Sequence, residues 1–418
     1  MLGFLLKTYP KISETFVLQE ILELQKEPFA LDIFSMQRPS DDKLHHAFSS
    51  VTAKVYYLTP EFWKTRAAVK IHLRFIICHF RTYFSTLAFT LCRPDEGGFG
   101  RFCQAVYFAG LVEKKGITHI HAHFASEPAG LAALVAGLSD ITFSISAHAK
   151  DIYLQNHTCL RRKISLAQFV VTCTEYNRRY LDSINTSKTP VFRLYHGLDC
   201  SRVLTENTRT IAASKIPRII SVGRLREKKG FPTLIAACQL LLQAGYEFQC
   251  DIVGYGPERE KLERLIAVYG LQNKVRLLGK LTHAELVALY RQSAVFALPC
   301  QIGEDGDRDG IPNVLMEAML FAIPVVSSNV SGIPELVKNN QTGLFTDSKN
   351  PQALFVALQR LLDDPGLRRQ LGEAGRRCVM SQFSVHQHIG PLKELLASAL
   401  RHNHCVDSFA AATGEQHG

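Results

Sequence analysis

The chain has 418 residues, 46% of them hydrophobic, enough to build two or three domains with separate cores. Forty-eight Lys and Arg against thirty-eight acids give a formal net charge of +10, which favours anionic partners such as phosphorylated metabolites or an anionic membrane surface. There is no dense Arg/Lys tract or zinc-finger spacing, which argues against nucleic acid, and eleven scattered cysteines without a CxxC pair fit a reducing cytoplasm better than a disulfide framework.

The opening stretch, MLGFLLKTYPK, lacks a positive segment ahead of its short apolar run and reads as a buried strand rather than a signal peptide. The loop after it, YPKISETF, puts Lys11, Ser13 and Glu14 at a helix start, with Ser13 as the expected N-cap. Further strands are expected in ALDIFSM, KVYYL, HIHAHF, FSISA, FVVTC and VFRLYHG, separated by helical patterns. Such alternation implies parallel βαβ units and a doubly wound sheet.

Residues 64–93 differ in kind. Leu73, Phe75, Ile76, Ile77, Phe80, Tyr83, Phe84, Leu87 and Phe89 interleave with Lys70, His72, Arg74, His79 and Arg81. The pattern is helical, cationic and aromatic, and two readings stay open: a helix that packs internally, or one that lies on an anionic membrane surface. No stretch reaches the ~18 uncharged apolar residues of a membrane span.

In HIHAHF the alternating His119, His121 and His123 share one face of a strand. They can be satisfied structural groups or can line a ligand cleft, for which His123 at the strand's carboxyl end is best placed. A metal site is the weaker alternative, since no carboxylate partner is evident in the neighbouring sequence. His148, in SISAHAKDIY, also ends a strand, with Lys150 and Asp151 beside it.

The alternation fades near 200–216, a polar, strandless linker candidate, and resumes with RIISVG, FQCDIVG, VRLLG, VFALP, PVVSS and GLFT. The expected division is an N-terminal domain over 1–205, a second over 206–382, a helix over 383–402 and a disordered polar tail over 403–418.

Three loops of the second half carry chemistry. In GRLREKKG, Gly223 ends a strand, Arg224 and Lys229 offer a planar fork and a point charge suited to a diphosphate, and Gly230 and Pro232 open a helix whose free amides favour anions. In VGYGPERE, Gly254 and Gly256 bracket a turn at Tyr255 that suits close approach of a flat base, with Pro257 expected at the first helical position. In EDGDRDGIPNVLMEAM, Asp309 and Gly310 lead to a helix started by Pro312, with backbone amides near Ile311, Asn313 and Val314 at its mouth. Glu317 lies on its second turn, in an otherwise apolar segment where an acid needs a partner such as a ribose diol.

GRLREKKG, VGYGPERE, DGIPNVLMEAM, PVVSSNVSGIPELV and TGLF, in this order, resemble the donor-binding domain of retaining glycosyltransferases of family 4. TYPKISETFVLQEI, HIHAHFASEPAG, SAHAKDIY, CTEYNRRYL and YHGLD resemble the members that build bacterial exopolysaccharides of the colanic-acid type. The resemblance implies an α/β GT-B fold, with two Rossmann-like domains facing across a cleft, and transfer from a UDP- or GDP-sugar to a lipid-linked glycan acceptor. It implies no metal and no cofactor beyond the donor, and a cytoplasmic protein peripheral to the inner face of the plasma membrane.

By the same resemblance Arg224 and Lys229 hold the diphosphate, Glu317 the ribose and Asp309 the donor sugar. Gly254, Tyr255 and Gly256 lie near the base, and His148 approaches the sugar. Ser13, Glu14 and His123 are the acceptor candidates. The sequence departs from the family in having Asp309 where Glu is usual, and in offering Glu304, Asp305 and Asp307 as competing acids; His196 stands where Asn is commoner. A non-catalytic GT-B assembly subunit and a sugar-nucleotide epimerase are the alternative functions.

Overall fold

The computed structural model describes residues 1–11, 14–39, 46–59, 61, 65–93, 96–200 and 216–413, with the backbone alone for 46–47 and 402–413. Ser13 and almost all of the expected linker lie outside the described residues.

Each of the expected apolar runs contains a strand, and all strand pairings are parallel. The first unit comprises Met1–Cys173, Arg178–Leu194 and the chain from His388. Its strands are β1 (Leu2–Thr8), β2 (Leu31–Gln37), β3 (Lys54–Tyr57), β4 (His119–His123), β5 (Thr142–Ala147), β6 (Val170–Thr172) and β7 (Val191–Arg193). They form one sheet in the order β3-β2-β1-β4-β5-β6-β7. The second unit, Thr174–Asn177 with Tyr195–Gln387, holds β8 (Arg218–Val222), β9 (Gln249–Val253), β10 (Val275–Gly279), β11 (Val295–Leu298), β12 (Val325–Ser328) and β13 (Leu344–Thr346). Their order, β10-β9-β8-β11-β12-β13, repeats the pattern of the first six strands of the other sheet. In both sheets the order reverses beside the first strand, so the loops after β1 and β4, and after β8 and β11, flank the switch point where doubly wound sheets bind ligands.

Burial explains why these runs become central strands. Every residue of β4 and of β11 is buried, which requires helices on both faces. In the first unit those helices include α1 (Thr15–Leu24), α2 (Arg66–Cys78), α3 (Phe80–Leu91), α4 (Gly98–Lys115), α5 (Glu127–Leu138) and α6 (Ala149–Tyr153). The described part of this segment, residues 65–93, thus folds as a pair of helices broken at His79, packed on α4 and α5.

Two boundaries differ from the sequence reading. The second unit begins its long stretch at Tyr195 instead of residue 206, because Leu198 already bridges to Ser384 and hydrogen-bonds the Phe383 carbonyl. The last helix runs from Val385 to Thr413, so the expected tail is helical backbone over 403–413, and 414–418 lie outside the described residues. From His388 this helix belongs to the first unit, where Ile389, Leu392 and Leu396 are buried with Leu2, Phe4 and Ile33. Among the described residues no helix is long and apolar enough to cross a membrane.

Candidate active site

The loops after β8 and β9 are joined backbone to backbone. The Gly223 amide donates to the Val253 carbonyl at 2.9 Å, Leu225 to Tyr255 at 2.9 Å, and Glu258 back to Leu225 at 3.2 Å. Gly254 adopts φ +147°, and a Cβ there would stand 1.8 Å from the Gly223 oxygen; at Gly256 it would stand 2.4 Å from the Leu225 oxygen. No side chain fits either position, which accounts for the GxG spacing. Tyr255 is exposed, and the Lys280 ammonium lies 4.5 Å from its ring centroid, a cation–π contact that steadies the ring. The following helix begins at Arg259 with Glu258 at the N-cap, so Pro257 precedes the first turn instead of occupying it.

The basic turn Glu227–Lys229 leads into the helix Phe231–Gln243, with Gly230 at its N-cap in the left-handed region and Pro232 within the first turn. Sequence reasoning treated Lys229 as a phosphate-binding cation. Its ammonium lies 2.7 Å from Asp309 Oδ2, while Lys228 reaches Asp307 Oδ1 at 3.1 Å and Asp309 Oδ1 at 3.2 Å. Burial pushes the Asp309 carboxyl up, but Lys229 and Lys228 more than reverse this and hold it below the usual carboxylate range. Burial disfavours the Lys229 ammonium, and Asp309 overcomes that and raises it. Both groups are therefore ionised. Arg224 is exposed, and no ion pair of the described residues uses it.

The acidic loop is folded onto this turn. Gln301 donates its amide to the Lys228 carbonyl at 2.9 Å, and the Glu304 amide donates to Glu227 Oε2 at 3.1 Å. Glu304 and Asp305 are exposed, and Asp307 faces Lys228. Of the four competing acids, Asp309 alone touches Lys229 among the described ion pairs. Lys228 escaped sequence reasoning; its adjacency to Lys229 was the available signal.

Gly310 and Ile311 precede Pro312, which is extended (φ −62°, ψ 123°) at the N-cap of the helix Asn313–Leu320. The amides of Asn313 and Val314 open this helix and have no acceptor within it. One Glu317 oxygen accepts a hydrogen bond from Tyr290 Oη at 3.1 Å. Its partner inside the protein is therefore a tyrosine, which the sequence reading did not name. Burial raises the Glu317 carboxyl above its ordinary range despite that bond, and burial likewise pushes the Tyr290 phenol well up. Tyr290 is fixed by stacking on Phe321 at 5.4 Å.

In the first unit the three histidines of β4 are fully buried. His119 bonds Thr142 Oγ1 at 2.7 Å and Ser144 Oγ at 2.8 Å; His121 Nδ1 bonds the same Ser144 hydroxyl at 2.8 Å. Burial, with the neighbouring histidine charge, pulls both His119 and His121 down to about 3, so they are neutral. His123 Nε2 lies 2.8 Å from Glu20 Oε1 on α1, with His121 Nε2 at 3.8 Å from the same oxygen. The carboxylate not evident in the neighbouring sequence is thus Glu20, and the ligand atoms of this trio lie within 4.8 Å of one another, near enough for one cation. Since His123 is 0% exposed, it offers no open surface to an acceptor. It stacks instead on His148 at 5.7 Å and 16°.

His148, buried, also packs on Phe16 and Phe124, with centroids at 5.0 and 4.8 Å. Asp151 holds its loop: the carboxylate accepts from the His148 amide at 3.0 Å and from the Ala125 amide at 2.6 Å. Burial raises the Asp151 carboxyl to about 7, against those hydrogen bonds. Glu14 stands at the N-cap of α1, the place expected for Ser13, without a capping side-chain bond, and pairs with Lys11.

Residues 206–378 match the family model of the group 1 glycosyl transferases. The chain is 39% identical over 179 residues to the amylovoran biosynthesis glycosyltransferase AmsK of Erwinia amylovora, a match spanning 43% of this chain and 44% of that one. It is 30% identical over 374 residues, 85% of this chain and 89% of the other, to WcaL of Escherichia coli (strain K12), which is named for colanic acid biosynthesis. The structure of Anabaena Alr3699/HepE in complex with UDP and glucose superposes with a TM-score of 0.71 at 16% identity, covering 95% of this chain and 99% of that one. The fold is GT-B, with two Rossmann-like units. This chain belongs to the group 1 glycosyltransferases.

Proposed function

We propose that the chain moves a sugar, with retention of anomeric configuration, from a UDP- or GDP-sugar to a growing lipid-linked oligosaccharide in exopolysaccharide assembly. In this reading it works in the cytoplasm, peripheral to the inner face of the plasma membrane. The observation that carries the reading is the cationic turn Arg224–Lys228–Lys229 held against Asp309, directly beside the paired glycine loops. Relatives named for amylovoran and colanic acid biosynthesis support the polymer, and the UDP complex of a fold relative supports the donor class.

Glycosyl transfer builds negative charge on the departing diphosphate and positive charge at the anomeric carbon. Arg224 is free to close a bidentate contact on phosphate, while Lys229 and the amides at Asn313 and Val314 add fixed positive potential. Asp309 sets the orientation of the Lys229 ammonium and presents a carboxylate to the sugar, and Glu317, steadied by Tyr290, takes the ribose. In the first unit His148, held by its aromatic neighbours, is the residue read as contacting the sugar, and Glu14 remains an acceptor candidate. This site needs no metal, because its cations neutralise the phosphates.

Mass spectrometry of donor turnover across UDP- and GDP-sugars, with an extracted lipid-linked glycan as acceptor, tests the reading. Sugar transfer with the donor's anomeric configuration, abolished by Arg224→Ala, is the expected result. Donor epimerised without acceptor, or no turnover with any donor, would overturn it.

A further inference from the structure

We propose that the α2–α3 helix pair is the surface by which this protein docks on an anionic bilayer. The proposal rests on the lipid-linked acceptor read above, and it assigns the contact to named residues.

The inner side of the pair is an ordinary core. Ala68 and Phe75 of α2, with Tyr83, Thr86 and Thr90 of α3, are buried, and the His72 ring nitrogen bonds the Tyr83 hydroxyl at 2.9 Å to tie the helices together. The outer side is not ordinary. Val69, Leu73 and Ile77 form an i, i+4, i+8 stripe along α2 and are exposed, Ile77 at 78%. Across the break at His79 the stripe continues with Phe80, 60% exposed, and Phe84, whose ring centroids lie 4.7 Å apart. Single exposed apolar residues need no explanation, but a run of this kind marks an interaction site.

Charge identifies the occupant. Residues 65–93 contain no Asp or Glu, but hold Arg66, Lys70, Arg74, Arg81 and Arg93. Arg74 pairs with Glu113, and Arg93 lies over Phe89 beside Glu96. Arg66, Lys70 and Arg81 are exposed, and no ion pair of the described residues uses them. Large apolar side chains flanked by unneutralised cations match the two layers of an anionic membrane interface. The side chains enter the acyl boundary and the cations meet lipid phosphates.

Co-sedimentation of the full chain with phosphatidylcholine vesicles, with and without phosphatidylglycerol, tests this. Binding is expected on the anionic vesicles only, and to weaken with salt. Lys70→Ala with Arg81→Ala should weaken it by roughly tenfold or more. Ile77→Ser with Phe80→Ser should abolish it while circular dichroism stays native. Arg224→Ala should bind vesicles as the parent does. Equal pelleting with neutral vesicles, unchanged binding in both double variants, or a concentration-dependent dimer lost in Ile77→Ser/Phe80→Ser would overturn the proposal. Transfer to a water-soluble acceptor fragment separates the two readings: its persistence in a parent chain that binds no vesicle would sink the docking surface and leave the transferase intact.

Discussion

The Lys229 ammonium and the Asp309 carboxylate lie 2.7 Å apart, and Lys228 approaches the second oxygen of the same carboxylate at 3.2 Å. One acid thus restrains two cations in the part of the site read as binding diphosphate. Asp309→Asn should therefore cut sugar transfer by about a hundredfold or more, the scale of losing a transition-state contact. It should also strengthen binding of the bare nucleotide diphosphate, because Lys228 and Lys229 are released to it. Lys229→Ala should lose both activities. Calorimetry with UDP and GDP beside a transfer assay decides; normal transfer by Asp309→Asn would move the acidic role to Asp307. Asp309→Glu restores the residue usual in the family and should keep activity.

Glu317 and Tyr290 should separate in the same measurements. Glu317→Ala is expected to weaken nucleotide binding, and to leave the Tyr290 hydroxyl buried without this acceptor. Tyr290→Phe removes one hydrogen bond worth about 1 kcal/mol and should lower nucleotide affinity by no more than roughly tenfold. If the two variants bind nucleotide equally well, Glu317 does not hold the ribose.

Asp151 gives a pH dependence with a definite sign. Its folded value is raised to about 7, whereas an unfolded Asp titrates near ~3.9, so between these values the folded state binds more protons. The stability contributed by the neutral acid is full below the lower value and is lost as pH rises through the upper one. The melting-temperature advantage of the parent over Asp151→Asn should therefore shrink from about pH 5 to about pH 8. A constant difference across that range would show that Asp151 is ionised throughout.

Chelation offers a further test. Asp307 and Asp309 are each engaged by lysines of the neighbouring basic turn, so these two acids already have their charge neutralised. EDTA should leave the transfer rate and the melting temperature unchanged. A loss of rate restored by magnesium would put a metal at the diphosphate, and a loss of thermal stability alone would point to an ion at Glu20, His121 and His123.

The periodic part of this molecule was legible in its residues. Apolar runs such as RIISV and VFAL announced parallel strands because burial on both faces leaves no polar alternation, and the glycines of VGYG marked a loop where no Cβ fits. What stayed hidden was the pairing of side chains distant in sequence. Glu20 meets His123 across 103 positions, Lys228 meets Asp307 across 79, and Tyr290 meets Glu317 across 27. None of these distances is periodic, so each partner becomes visible only when the sheet order brings its loop or helix alongside. The cap of α1 was misplaced by one residue because Ser13 has the better capping chemistry, whereas the helix starts one residue later, after Glu14.

The close approach at Gly254 limits how the loop read as lying near the base can be re-engineered. With the Gly223 oxygen only 1.8 Å from where a Cβ would stand, the two glycine loops share one steric envelope. Grafting 254–258 from a transferase with another donor would bring a loop fitted to a different 223–230, and the mismatch would appear as misfolding before any change in sugar choice. The two segments form a single exchangeable cassette, and a library that diversifies them should inherit both from the same parent.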